Sequence, residues 1–235
     1  MGCARSCPRR SARKESVACS PSATASTDRV SGRGCWSSPR SSKPPGASRR
    51  SWVAQTGASS ATAGYVLALA KHAGLRTLNV VRRAESVKPL LDAGADVVLV
   101  EGADLTEQAA DAIGDASLEL ILDPVAGESV AQLASLLKID GQIISYTARA
   151  RQPLSIPVVD LIFRVLSVHG YWLNLWLQRT PQDTVAQTYH ELATLVADGT
   201  LAATVEATYA LADYREAIAH AGRSDRNGKV LFALR

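Results

Sequence analysis

The chain has 235 residues, with 26 Lys/Arg against 22 Asp/Glu and a formal charge of +4. The excess is local: residues 1–50 hold eleven of the basic residues and two of the acids, so the remainder is acidic and a whole-chain nucleic-acid partner is excluded. No apolar run reaches the roughly eighteen residues of a membrane span, and the start lacks the apolar stretch of a secretory signal.

Residues 1–50 read as a disordered, basic, Ser/Arg/Pro-rich tail with too few aliphatic residues to offset chain entropy. The same composition resembles an organelle transit peptide without its amphipathic face, or an out-of-frame translation, which is the reading preferred here because the tail has no period of 2 or 3.6. "MGCARS" fits an acylation pattern at Gly2 with Cys3 beside it, against the blander reading of an unstructured start. Cys3, Cys7, Cys19 and Cys35 are all the cysteines, at spacings unlike zinc ribbons or fingers, so no metal is expected. Their absence from the rest fits a reducing, cytoplasmic setting.

From Ser51 the pattern alternates. Strands are expected at 52–56, 76–81, 95–100, 118–123, 141–147 and 166–172, each a short apolar run. Helices are expected at 61–74, 85–94, 104–114 and 129–138, with Gly74 and Gly94 as stops. A further helix covers 180–198, capped by Thr180 or Asp183, and residues 201–235 read strand, helix, turn, strand. Apolar strands separated by helices imply an α/β fold with a doubly wound, six-stranded parallel sheet over 51–200, of the Rossmann-like dinucleotide-binding kind.

In such a fold the first turn receives a pyrophosphate at the helix N-terminus. Here Gly57 is followed by Ala58, Ser59, Ser60, Ala61 and Thr62, small enough for close approach and carrying three hydroxyls. The same residues also suit an ordinary strand-to-helix turn capped by Ser59 or Ser60. At the end of the second strand, where an acid would hold the ribose of NAD, stand Arg82 and Arg83. Two guanidiniums favour a 2′-phosphate, hence NADPH, over the alternative of solvated surface arginines.

"WVAQTGASSATAGYVLALAKHAGLRTLNVVRR", "LLDAGADVV", "LILDPVAGES", "LLKIDGQIISYTARARQPLSIPVVDLIFRVLSVHGYWLNLW" and "GKVLFAL", in this order, resemble the cofactor domain of the zinc-free medium-chain dehydrogenase/reductase proteins, in the branch of 2-enoyl thioester reductases and quinone oxidoreductases. The resemblance implies an NADPH-dependent reductase acting on a small-molecule enoyl thioester or quinone. It implies that Ser59, Ser60, Ala61 and Thr62 cradle the pyrophosphate and that Arg82 and Arg83 hold the 2′-phosphate. Tyr146 and Thr147 would border the nicotinamide, Tyr171, Trp172 and Leu173 would flank it and the substrate mouth, and Lys229 would reach a phosphate. A homodimer through the sixth strand is implied as well.

The pattern departs from the family at Ala61 and Ala63, where glycines are usual. The tail does not match the family's N-terminal catalytic domain, which carries its proton-donating Tyr, so a truncated enzyme is expected, with 201–235 a remnant of that domain and no catalytic residue named. His169 is expected to pack in the core, and His72, His190 and His220 to lie on the surface. The alternative function is a non-catalytic nucleotide-binding or dimerisation module.

Overall fold

The computed structural model describes residues 51–147, 152–223, 226 and 228–234. Expectations for residues 1–50, and for Arg151 in the "RQP" triplet, lie outside the described residues. The first strand, β1 (Ser51–Gln55), is buried along its whole length, and so is nearly all of β2 (Arg76–Val81). Between them α1 (Ala61–Ala73) starts where the Ser60 side chain accepts the Ala63 amide. It stops at Gly74, whose φ of 72° suits a residue without Cβ.

The alternation continues through α2 (Val87–Asp92), β3 (Val97–Val100), α3 (Leu105–Ile113), β4 (Ser117–Asp123), α4 (Glu128–Ala134) and β5 (Leu137–Ser145). All pairings in the large sheet are parallel, in the order β3-β2-β1-β4-β5-β6, where β6 is Ser167–Gly170. This is the doubly wound order, with its reversal between β1 and β4. Trp52, Leu78, Leu118, Ile121, Val130, Leu133, Leu137 and Ile143 form the core between the sheet and α3 and α4. Trp52 is fully enclosed, with the Arg76 guanidinium 3.9 Å above its ring.

Several boundaries differ from expectation. The fourth helix ends at Ala134, not at Lys138, because Leu137 joins β5 opposite Leu118 before the chain bulges and re-enters the ladder at Gln142. Two short helices, α5 (Val158–Phe163) and α6 (Leu173–Arg179), have no counterpart in the sequence reading. The sixth strand is shorter than 166–172: it closes at Gly170, with one further bond from the Tyr171 amide to Ser145, and Trp172 begins α6. The long helix α7 (Gln182–Ala197) has Pro181 in the capping position. Neither Thr180 nor Asp183 caps it, since Asp183 lies inside the helix. Beyond it β7 (Val205–Ala210), α8 (Tyr214–Gly222) and β8 (Lys229–Ala233) follow the expected order, and β7 and β8 make a separate parallel pair.

Candidate functional site

The carboxyl ends of β1 and β4 meet at one buried acid. Asp123 is fully enclosed. Its carboxylate accepts the Thr56 hydroxyl at 2.6 Å and the amides of Val125 and Ala126 at 3.0 and 2.9 Å. An ionised carboxylate only accepts, and these three donors satisfy it where water cannot. The bonds tie the turn after β1 to the turn after β4. Gly57 completes the junction at a φ of 55°, and a Cβ there would lie 2.9 Å from Val125 Cγ2, so no larger residue fits.

Past that junction the chain enters α1. Ser60 is the cap, so its oxygen is committed to the Ala63 amide at 3.2 Å. Ser59, Ala61 and Thr62 are exposed around it. The first-turn amides of Ala61 and Thr62 have no acceptor within the helix and mark its positive end. Gly64, one turn in, has nothing within 4 Å of a would-be Cβ.

The two arginines after β2 are not equivalent. Arg83 Nε lies 3.3 Å from Glu85 Oε1, an exposed pair. Arg82 is exposed and has no ion pair among the described residues. It lines a cleft of about 510 Å³ at the ends of β2, β3 and β4, together with Glu101, Val125, Ala126, Ser129 and Gln152. That volume lies within the roughly 300–1,000 Å³ of ligand pockets. Glu101 Oε1 accepts the Ser129 hydroxyl at 2.5 Å.

At the end of β5 the Tyr146 amide donates to the Asp123 carbonyl and Thr147 Oγ1 donates to the Pro124 carbonyl. Burial, aided by the Asp123 charge, pushes the Tyr146 phenol above its ordinary pKa, and its hydroxyl is enclosed without a partner. In the β4–α4 turn the Gly127 amide donates to the Pro153 carbonyl. Tyr171, Trp172 and Leu173 follow β6 at this same edge of the sheet and are exposed. Burial and neighbouring Tyr189 raise the Tyr171 phenol.

The structure thus gathers Ser59, Ser60, Ala61, Thr62, Arg82, Tyr146 and Thr147 at the carboxyl ends of adjacent strands. Of these only Arg82 lines the cleft; Arg83 is drawn to Glu85, and Lys229 belongs to the β7–β8 pair. Two histidine expectations are corrected. His169 is exposed on edge strand β6 because nothing pairs with that strand's outer side among the described residues. His220 is half-buried, its ring nitrogens 2.9 Å from Tyr209 Oη and 2.9 Å from Glu206 Oε1.

Sequence reasoning took Asp123 only as the end of a strand and missed Glu101, Ser129 and Gln152. Polar residues inside apolar runs were the available signal. Gln55 in "WVAQT" and Asn79 in "RTLNVV" are both buried, and Gln55 Nε2 donates to Asn79 Oδ1 at 2.6 Å and to the Ala63 carbonyl at 3.2 Å. Among the described residues no group of three or more His, Cys, Asp or Glu could hold a metal ion.

Residues 62–197 match the family model described as zinc-binding dehydrogenase. The mitochondrial enoyl-[acyl-carrier-protein] reductase of Caenorhabditis elegans is 35% identical over 147 residues, covering 60% of this chain and 41% of its own. The same enzyme of Rattus norvegicus is 31% identical over 171 residues, covering 71% and 46%. The chain spans about half the length of the curated relatives it matches. In fold it is similar to a mutant form of enoyl thioester reductase from Candida tropicalis, with a TM-score of 0.67 at 22% identity over 79% of this chain and 54% of that one. A complex of Etr1p with NADP and crotonyl-CoA aligns with a TM-score of 0.68, again at 22% identity over 79% and 54%.

Proposed function

Since the chain belongs to the zinc-binding dehydrogenase family, in the enoyl thioester reductase-like branch of the medium-chain dehydrogenases/reductases, we propose that it is the cofactor-binding part of an NADPH-dependent reductase of enoyl thioesters or quinones. The observation that carries this reading is the unpaired Arg82 guanidinium on a ligand-sized cleft at the carboxyl ends of β2, β3 and β4. A parallel sheet binds nucleotides beside its topological switch point, here the β1–β4 crevice.

The residues fit the group. The Gly57 turn packs too closely on Val125 for any Cβ, and α1 beyond it offers unsatisfied amides beside exposed Ser59 and Thr62. Arg82 meets the 2′-phosphate with a planar, permanently charged fork, whereas Arg83 contributes only if it leaves Glu85. Tyr146 and Thr147 would border the nicotinamide, and Tyr171, Trp172 and Leu173 would flank it. Lys229 is the least supported member of the set. Bound nicotinamide would supply the hydride. Enoyl reduction also needs a proton at the α-carbon, and the described residues are assigned no such donor.

Titration with NADPH and NADH, followed by nucleotide fluorescence, tests the reading. Saturable binding that favours NADPH supports it, and absence of binding to either nucleotide contradicts it. Turnover of an enoyl thioester by the same preparation then separates enzyme from binding module.

A second reading, a self-associating module, rests on the opposite edge of the sheet. Val158, Val159, Ile162 and Phe163 on α5, with Val168 on β6, are exposed beside that unpaired edge strand. We propose a homodimer through β6; sedimentation at a monomer mass that is unmoved by Val168→Lys would contradict it. No helix among the described residues is long and apolar enough to cross a membrane. The cytoplasmic expectation rests on cysteine usage, while the relatives are named mitochondrial, and fractionation decides between the two compartments.

A further inference from the structure

The register of β2 and β3 sets an acid beside the one arginine that the proposed site depends on. Val81 pairs with Val100, and the Glu101 amide donates to the Val81 carbonyl at 2.8 Å, so Arg82 and Glu101 are the residues that directly follow the two adjoining strands. Both residues line the same cleft. An ion pair between them is therefore the expected outcome, and it would cancel the charge that a phosphate needs.

The ion pair is absent. Glu101 instead reaches across to α4, where the Ser129 hydroxyl donates to its Oε1 at 2.5 Å. Ser129 is itself buried, so this bond is shielded from competing water. The other carboxylate on the cleft, Glu128, lies in the first turn of α4, where the helix dipole favours an acid. The amide nitrogen of Gln132 is occupied by the carbonyls of Gly102 and Ala103, which fixes the turn that follows Glu101. The acids lining the cleft are thus accounted for without Arg82.

We propose that Ser129 is a positioning residue for coenzyme selectivity: its hydroxyl holds Glu101 away from Arg82 and keeps that guanidinium available to a 2′-phosphorylated dinucleotide. The proposal rests on the NADPH reading above. Removal of the hydroxyl frees Glu101 to turn to Arg82. A nucleotide without the 2′-phosphate makes no use of Arg82 and is indifferent to the change.

The test is a set of dissociation constants for NADPH and NADH, read by nucleotide fluorescence on the full chain. Ser129→Ala is expected to lower the preference for NADPH by about fivefold, the size of an exposed ion pair's competition, with NADH binding unchanged. Ser129→Thr, which keeps the hydroxyl, retains the preference, and adding Glu101→Gln to Ser129→Ala restores it. Should Ser129→Ala fail to fold, Glu101→Asp, one methylene short of Ser129, lowers the preference in its place. Unchanged selectivity in these variants, equal loss for both nucleotides, or no rescue by Glu101→Gln overturns the proposal. A wild-type chain that does not favour NADPH overturns the reading beneath it as well, whereas wild-type preference with an inert Ser129 overturns this inference alone.

Discussion

The β1–β4 crevice and the β7–α8–β8 unit are built on opposite terms. In the crevice Gln55, Thr56 and Asp123 are almost wholly enclosed, and the buried carboxylate finds three donors. In the C-terminal unit Leu211, Ile218, Leu231, Phe232 and Leu234 stand exposed, and among its described residues only Ala217 is buried. A parallel pair of strands under one helix has too little interior to gather its own apolar side chains. The comparison teaches where this chain stores its stability: in the centre of the six-stranded sheet, beside the proposed ligand site, and hardly at all in the terminal unit.

Substitutions break or sharpen that contrast. Asp123→Ala strands the Thr56 hydroxyl and two amides in a dry site, and a loss of about 3 kcal/mol or more is expected in chemical denaturation. Ile218→Ser on α8, at 63% exposure, is expected to change stability by about 0.5 kcal/mol or less in the same experiment. Equal effects at the two positions would erase the distinction.

Gly57→Ala tests the junction more gently. It forces a methyl group into a left-handed backbone and against Val125, for an expected loss of about 1–3 kcal/mol. Because the same turn is proposed to receive the pyrophosphate, NADPH affinity is expected to fall further than stability alone accounts for. An unchanged melting curve would show that the two turns are not in contact.

How much of this was legible in the sequence follows the same division. The order β1 to β6 could be read because each central strand is an apolar run between glycine-stopped helices, as "RTLNVV" is between Gly74 and the next helix. The bulge at 138–141 could not, because it depends on Leu137 pairing with Leu118, a contact distant in sequence. The helix at 158–163 was missed because "VVDLIF" is as β-prone as it is helical, and its start after Pro157 is settled by tertiary context. At the site, Ser60 as cap and the arginines after β2 were visible as residue types. The difference between them was not, since Arg83 is claimed by Glu85 while Arg82 is left free by a serine nearly fifty residues away. The role of Asp123 was hidden for the same reason: its donors come from another strand's end.

A small effect is also expected at the amino end of the sheet. Burial alone would raise Glu119, but the hydrogen bonds from Lys138 and Ser51 and the Lys138 charge bring it below its ordinary value of 4.5. A carboxylate with a depressed folded pKa adds stability above that ordinary value and loses it as pH falls through the folded one. Glu119→Gln should therefore flatten the stability profile in acid below about pH 4.5, by less than about 1 kcal/mol because the pair is partly exposed. An unaltered acid limb would show that the pair contributes nothing.

The central claim is that Arg82 makes this cleft a site for a 2′-phosphorylated nucleotide. Calorimetry with adenosine 2′,5′-bisphosphate and with 5′-AMP, on the wild-type chain and on Arg82→Glu, tests it most directly. The expected result is a wild-type preference for the bisphosphate of about tenfold that Arg82→Glu abolishes, with 5′-AMP binding unchanged. Equal affinities for the two nucleotides in the wild type, or a preference that survives Arg82→Glu, would contradict the account.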